Sequence, residues 1–286
     1  MKKIGFIGLG IMGKPMALNL IKAGYTLSIL SYNKAANVLI EAGATPYISI
    51  KTLAENSDVI ITMLPDSPDV ERVVFGKEGV LEGIKKGSLF IDMSSISAST
   101  ACNIFETMQK KGVEALDAPV SGGQVGAEGA TLSIMVGGTA KAFAEALSLF
   151  QAMGKNIVHI GEAGAGQTTK ICNQMIVGMT IQAVGEAFTL ASRAGVDLEK
   201  MREVLLGGFA QSRILDLHGK RIIDRNFKPG FKIKLHNKDL KLALQAGKEY
   251  KVVLKGTEQV AKTMKAALKD GNGDLDHSGI FLQIEK

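Results

Sequence analysis

The chain has 286 residues, 46% of them apolar and 22% charged, with 33 glycines and no tryptophan. This is the composition of a globular protein long enough for two domains, and it excludes disordered, collagen-like and disulfide-scaffold classes. The net charge is +6, but the lysines are spread along the chain, modestly denser over 213–241 and 248–269, and aromatics do not interleave with them. A surface that attracts small anions is therefore expected, with no nucleic-acid or membrane partner. Cys102 and Cys172 lie far apart without a C-x-x-C partner, which fits a reducing cytoplasm and gives neither a disulfide framework nor a zinc site. No apolar run reaches the length of a membrane span, and the chain opens on a strand rather than a signal peptide.

In chain order, the apolar run 4–7 reads as a buried strand. Gly8, Gly10 and Gly13 follow at G-x-G-x-x-G spacing, then a helical pattern over 14–23. In such a turn the first glycine permits the tight reversal, the second lets the backbone approach a pyrophosphate, and the third lets helix and strand pack closely. An ordinary βα turn also carries glycines, but the flanking strand and helix favour a dinucleotide site. Further strands are expected at 26–30, 59–63, 89–92, 113–117, 132–136 and 156–159, with helices over 35–42, 50–56, 97–111 and 140–153. This alternation predicts an α/β Rossmann-type domain over 1–163, a doubly wound parallel sheet with the cofactor across the carboxyl ends of its strands. From Gly164 the pattern changes. The stretch 168–194 is too long for a strand and reads as a buried helix of about seven turns. Helices over 197–206, 214–224, 238–249 and 256–269 follow, so 164–286 is expected to be an all-α C-terminal domain.

Three segments carry candidate chemistry. Lys170, Asn173 and Gln174 are spaced i, i+3, i+4 and share one helix face. Partial burial of the lysine would suit a proton donor and acceptor, whereas a first-turn lysine can simply reach solvent; spacing alone leaves both open. Asp117-Ala-Pro-Val-Ser121-Gly122-Gly123 ends an apolar strand, and its hydroxyl and backbone N–H groups suit a carboxylate, although a plain turn uses the same residues. Phe227-Lys-Pro-Gly-Phe231 leads into a helix whose Lys238 could meet an anion while Asp239 orients it; a solvated charge run is the plainer reading. Other patterns are negative. Asp270-x-Asn272-x-Asp274 has Leu275 where a calcium loop needs glycine and Phe281 where it needs glutamate. His159, His218, His236 and His277 lack ligand spacing, so no metal is expected, and Ser121 is not in G-x-S-x-G.

Taken in order, six stretches resemble the β-hydroxyacid dehydrogenase family over nearly the whole chain. They are Gly5-Phe-Ile-Gly-Leu-Gly-Ile-Met-Gly13, Met63-Leu-Pro65, Asp92-Met-Ser-Ser95, Asp117-Ala-Pro-Val-Ser-Gly-Gly123, Gly164-Ala-Gly-Gln-Thr-Thr-Lys-Ile-Cys-Asn173 and Lys238-Asp-Leu240. The resemblance implies Lys170 as catalytic acid/base, with Asn173 orienting the substrate. It implies Ser121, Gly122, Gly123, Gln174, Phe231, Lys238 and Asp239 on the substrate. It implies Gly8, Gly10, Ile11, Met12, Gly13, Met63, Leu64, Pro65, Ser95 and Lys238 on a nicotinamide cofactor. The implied substrate is a small carboxylate-bearing aldehyde or hydroxy acid, with tartronate semialdehyde first. The 3-hydroxyisobutyrate and succinate semialdehyde couples and glyoxylate stay open. A homodimer or homotetramer is also implied. A non-catalytic NADP-binding scaffold or redox sensor, or an imine reductase, would be expected to have lost the lysine, so Lys170 argues against these rivals.

Two departures from the family pattern matter. The end of the second strand, Ser31-Tyr32-Asn33-Lys34, has no carboxylate for the ribose 2′-hydroxyl of NAD. Asn33 and Lys34 suit a 2′-phosphate instead, so NADP(H) is favoured over NAD(H). The chain ends at Lys286 and Val252-Val-Leu-Lys lacks a proline common there, so a short final helix is expected.

Overall fold

The structure, a computed structural model, describes residues 2–31 and 34–286. The chain divides into two compact units, Met1–Lys170 and Ile171–Lys286. The first unit begins β1 (Lys3–Ile7), α1 (Gly13–Lys22), β2 (Thr26–Leu30), α2 (Lys34–Glu41), β3 (Thr45–Tyr47), α3 (Ile50–Glu55), β4 (Val59–Thr62). It continues α4 (Ser67–Phe75), α5 (Val80–Gly83), β5 (Leu89–Asp92), α6 (Ala98–Lys110), β6 (Glu114–Asp117), β7 (Val120–Ser121), α7 (Gly123–Glu128), β8 (Leu132–Gly138), α8 (Ala140–Met153), β9 (Gly154–Gly161). Helix α9 (Ala165–Arg193) starts in the first unit and runs into the second. There it is followed by α10 (Leu198–Leu206), α11 (Arg213–Ile223), α12 (Ile233–Glu249), α13 (Lys255–Lys269) and α14 (Phe281–Ile284), with 3-10 turns at Asn272–Asp274 and His277–Ile280. The last helix, α14, is four residues long.

The sheet order is β3-β2-β1-β4-β5-β6-β8-β7, with β9 paired to β8. Strands β1 to β6 are mutually parallel, whereas β8 runs antiparallel to β6 and β7. Alternate residues of each inner strand feed opposite cores. Ile4, Phe6, Val59, Ile61, Leu89 and Ile91 pack on one face, while Ile7, Ile60 and Phe90 pack on the other. Both faces are covered by helices, so the inner strands β1, β4 and β5 are buried along nearly their whole length rather than on alternate residues. Strand order reverses between β1 and β4, and the crevice at such a switch point, beyond the carboxyl ends of the strands, is where open α/β sheets hold their ligands.

Serine, threonine and aspartate caps set several helix starts. The side chains of Ser97, Thr139, Asp197 and Ser212 accept backbone N–H bonds at the heads of α6, α8, α10 and α11, each contributing about 1 kcal/mol. In the second unit, Val184 and Phe188 of α9 pack with Leu215, Ile222 and Phe281. Ile181 joins Ile233, Leu240, Val260 and Met264. One expectation is corrected here. Helix α9 has 29 residues and a mean hydropathy of 1.3 in its most apolar window, enough by length and composition to cross a membrane. Lys170, Gln174 and Gln182 interrupt the run without lowering its average enough, so counting unbroken apolar residues underrated it. Its Ile181, Val184, Phe188 and Ala191 are buried, at the spacing of a core-facing stripe.

Candidate active site

The glycine turn sits where β1 meets α1. Gly8 has φ +105°, and a Cβ there would lie 2.2 Å from the Met63 carbonyl oxygen. A Cβ on Gly13 would lie 1.8 Å from the Gly8 carbonyl oxygen, so the helix can approach the strand only because this position is bare. A Cβ on Gly10 would meet nothing within 4 Å. The surface over Gly10 is open, and Ile11 beside it is exposed; Met12 occupies the N-cap position of α1. These residues fit a dinucleotide. The turn is tight where it must be and leaves bare backbone at a helix N-terminus, where phosphate is favoured. Lys34 is exposed at the start of α2; Asn33 lies outside the described residues.

Beyond β4 and β5, two loops are tied together by buried polar groups. The Leu64 N–H donates to Ser94 Oγ at 2.8 Å, and Ser94 Oγ donates to Asp92 Oδ1 at 2.6 Å. This fixes the Met63–Leu64–Pro65 loop against the segment carrying Ser95. The head of α9 joins the same net. Gln167, 1% exposed, donates from Nε2 to the Ser94 carbonyl at 2.8 Å and accepts from the Ile96 N–H at 3.1 Å. Asp117, the last residue of β6, accepts from the Gly164 and Gln167 N–H groups at 2.7 and 2.8 Å. It therefore caps the helix that carries Lys170, where a negative charge is favoured by the helix dipole.

Burial pushes the Asp117 carboxyl up to about 6 from 3.8, and the charge of Asp92 adds to this, against the lowering by the two N–H donors. Asp92 is its register partner on β5. Because the folded pKa lies above the unfolded one, the native state binds more protons between pH 4 and 6, and stability falls as pH rises through that window. A shift from 3.8 to about 6 corresponds to about 3 kcal/mol. Urea unfolding of wild type and Asp117→Asn from pH 4 to pH 7 checks this. The stability advantage of wild type over the variant should shrink as pH rises; a difference independent of pH would refute the assignment.

Ser121 closes the short strand β7 and Gly122 precedes α7 with φ +136°, followed by Gly123 with φ +61°. Both glycines are in conformations that L side chains avoid, so the Ser-Gly-Gly sequence is what lets the chain turn at the strand end. On α9, Lys170 is only 7% exposed. The solvent-reaching alternative for this lysine is thereby removed. In the second unit, Asn173 Nδ2 donates to Gln174 Oε1 at 2.7 Å, and Gln174 Nε2 donates to Asp239 Oδ2 at 2.6 Å. Asp239 is buried and forms an ion pair with Lys238 at 2.9 Å. Lys238 and Asp239 lie in the second turn of α12, which starts at Ile233, five residues before the expected start. Phe231 packs its ring against His236 and His277, with centroids 5.8 and 5.5 Å apart.

The family profile described as the NAD binding domain of 6-phosphogluconate dehydrogenase matches residues 3–161. That described as NAD-binding of NADP-dependent 3-hydroxyisobutyrate dehydrogenase matches residues 164–283. The chain is 46% identical to 2-hydroxy-3-oxopropionate reductase of Escherichia coli K12, covering 99% of this chain and 97% of that protein. It is 37% identical to 3-hydroxyisobutyrate dehydrogenase of Pseudomonas aeruginosa, covering 100% and 98%. The chain belongs to the β-hydroxyacid dehydrogenase family. It is thus an NAD(P)-dependent oxidoreductase. The solved 3-hydroxyisobutyrate dehydrogenase of Mycobacterium tuberculosis with L-serine superposes with a TM-score of 0.92 at 33% identity, covering both chains fully.

The two family profiles match residues 3–161 and 164–283. The compact units part at Lys170, and Asp117 and Ser94 hold the first turn of α9 within the first unit. In this β-hydroxyacid dehydrogenase the sequence signal for Gln167 was a lone amide between two glycines and an apolar helix, which spacing alone did not single out. The histidines were weighed only for metal-ligand spacing, and the meeting of three of them was not expected. His218, His236 and His277 come together in the second unit, although they are 18 and 41 residues apart in sequence. With Asp276, His218 and His277 also place potential ligand atoms within 4.8 Å of one another. However, Asp276 already accepts from the N–H groups of Gly230, Phe231 and Ser278 and from Ser278 Oγ, and the Arg221 guanidinium lies 3.4 Å away. A guanidinium there opposes a metal cation, and the cluster is a hydrogen-bonded one.

Proposed function

We propose that this enzyme reduces a small semialdehyde acid to its hydroxy acid, with tartronate semialdehyde to glycerate as the leading reaction and NADPH preferred over NADH. The observation that carries the reading is the burial of Lys170 at the head of α9, in a segment capped by Asp117. A buried ammonium can give up its proton more readily than one in water. The nicotinamide, when bound, supplies the hydride to the carbonyl carbon. Lys170 gives its proton to the carbonyl oxygen as negative charge develops there, and takes it back from the hydroxyl in the reverse direction. Ser121, Gly122 and Gly123 hold the substrate carboxylate, and Asn173 orients the substrate, so that much of the rate comes from alignment. Lys238, paired with Asp239, adds positive charge for the anionic substrate or cofactor.

The choice of tartronate semialdehyde is supported by the identity to 2-hydroxy-3-oxopropionate reductase. The choice of NADPH is supported by Ser31-Tyr32-Asn33-Lys34, which offers no carboxylate to repel a 2′-phosphate. A homodimer or homotetramer is supported by the exposed Ile176, Leu190, Val204 and Phe209 of the second unit. Nicotinamide absorbance tests the reading, with tartronate, methylmalonate and succinate semialdehydes and glyoxylate, each with NADPH and NADH. The highest kcat/KM is expected for tartronate semialdehyde with NADPH. A preference for NADH would refute the Asn33–Lys34 argument, and no turnover across the panel would refute the reductase.

A further inference from the structure

The chemistry proposed above gives Gln167 no task, yet this side chain is buried and both ends of its amide are engaged. Nε2 donates to the Ser94 carbonyl at 2.8 Å, and Oε1 accepts from the Ile96 N–H at 3.1 Å. The Ser94 carbonyl belongs to the peptide group before Ser95, and the Ile96 N–H to the one after it. Peptide groups are planar, so holding both restrains the two backbone torsions of Ser95. The amide is used in a single orientation, because only its oxygen can accept from an N–H and only its nitrogen can donate to a carbonyl.

Both sides of this clamp are anchored. The Ser94 N–H and Oγ donate to Asp92 Oδ1 at 3.3 and 2.6 Å, and Thr62 Oγ1 donates to the same oxygen at 2.7 Å. On the helix side, the Gln167 N–H donates to Asp117 Oδ2 at 2.8 Å. A Cβ on the neighbouring Gly166 would lie 2.4 Å from the Met135 carbonyl oxygen and 2.7 Å from that of Asp117. The head of α9 is therefore pressed against β6 and β8, with no room for a side chain between them.

Lys170 follows Gln167 by three residues, on the same helix face. A helical side chain lies over the turn that precedes its own Cα, which for Lys170 is the turn carrying Gln167. We propose that Gln167 is a positioning residue, whose amide locks Ser95 in a fixed relation to the turn beneath Lys170. The Met63–Pro65 loop is tied into the same frame through the Leu64 N–H on Ser94 Oγ. With Ser95 and that loop beside the nicotinamide, one side chain aligns the hydride donor with the proton donor. This role in turnover rests on the reductase reading, whereas the locking of Ser95 does not.

Gln167→Met keeps the length of the side chain and removes both bonds. Amide hydrogen exchange of the full-length enzyme without cofactor tests the lock. The Ile96 amide should exchange about tenfold faster, the loss of about one net hydrogen bond, while the glycine turn keeps its wild-type rate. Wild-type exchange at Ile96 would overturn the proposal, whether or not the enzyme turns over any semialdehyde. The second readout is reduction of the fastest substrate in the panel above, with its preferred cofactor unlabelled and deuterated at the transferred position. Per folded enzyme, kcat should fall by about 10²-fold, the effect of a misplacement of about 1 Å. KM should move by less than about threefold, since the carboxylate is held by Ser121 to Gly123 on a separate segment. The deuterium isotope effect on kcat should rise, because hydride transfer slows relative to product release. A kcat per folded enzyme within about threefold of wild type, with an unchanged isotope effect, would overturn the positioning role. A wild type inactive across the panel would refute the reductase, and the exchange result would still decide the lock. Should the methionine variant not fold, Gln167→Asn serves, since its amide is one methylene too short to reach both peptide groups.

Discussion

Lys170→Ala is expected to lower kcat by about 10²–10⁴-fold, the usual contribution of a positioned general acid, equivalent to about 3–5 kcal/mol of transition-state stabilisation. NADPH affinity, followed by titration of the cofactor's fluorescence, should stay within a few-fold of wild type, because the glycine turn lies on other elements of the same unit. Lys170→Arg sharpens the test. A guanidinium keeps the positive charge but cannot act as a base. It does not release its proton near neutrality either, so the arginine variant should be impaired alike in reduction and in oxidation, which share one transition state. A kcat within threefold of wild type for Lys170→Ala would end the general-acid assignment.

How far the sequence foretold the fold differs by element, for physical reasons. Thr26–Leu30, Leu89–Asp92 and Ala140–Met153 lie where they were expected. The two strands are apolar runs bounded by turn residues, and the helix is bounded by Thr139 and Gly154. The edge strand Thr45–Tyr47 went unread because it is only three residues long, partly exposed and carries Pro46, which an edge position tolerates. Helix α4 was also passed over. Its signal was Asp66-Ser67-Pro68, an aspartate cap with proline in the first turn. Helix α12 begins early because Ile233 is wholly buried and extends the apolar stripe before Lys238. For the site, motif spacing pointed to Lys170, Asn173 and the glycine turn, since each is local in sequence. The links Asp117–Gln167, Ser94–Gln167 and His277–His218 join residues 50, 73 and 59 apart, and no local pattern encodes such pairs.

Gly10→Ala and Gly13→Ala separate two roles that the motif merges. At Gly13 the new Cβ would sit 1.8 Å from the Gly8 carbonyl oxygen and 3.1 Å from the Phe6 ring. Backbone cannot yield as a flexible side chain does, so α1 must move off β1, at a cost of about 3 kcal/mol, the upper end for overpacking. At Gly10 the new Cβ meets nothing within 4 Å, and the backbone there is not among the left-handed glycines. The Gly10→Ala protein should be as stable as wild type or more so, by about 0.4–1 kcal/mol, from the reduced freedom of its unfolded chain. Yet it should bind NADPH about 10–100-fold more weakly, or about 1.4–2.8 kcal/mol, because the methyl occupies the surface where the pyrophosphate must approach. Thermal unfolding without cofactor, paired with NADPH titration, reads both effects. Weak binding with undiminished stability at position 10, against loss of both at position 13, is the expected pattern. Wild-type affinity in Gly10→Ala would mean that the phosphates cross the turn elsewhere. The assignment of the switch-point crevice to the cofactor would then have to rest on Met63–Pro65 and Ser95 alone.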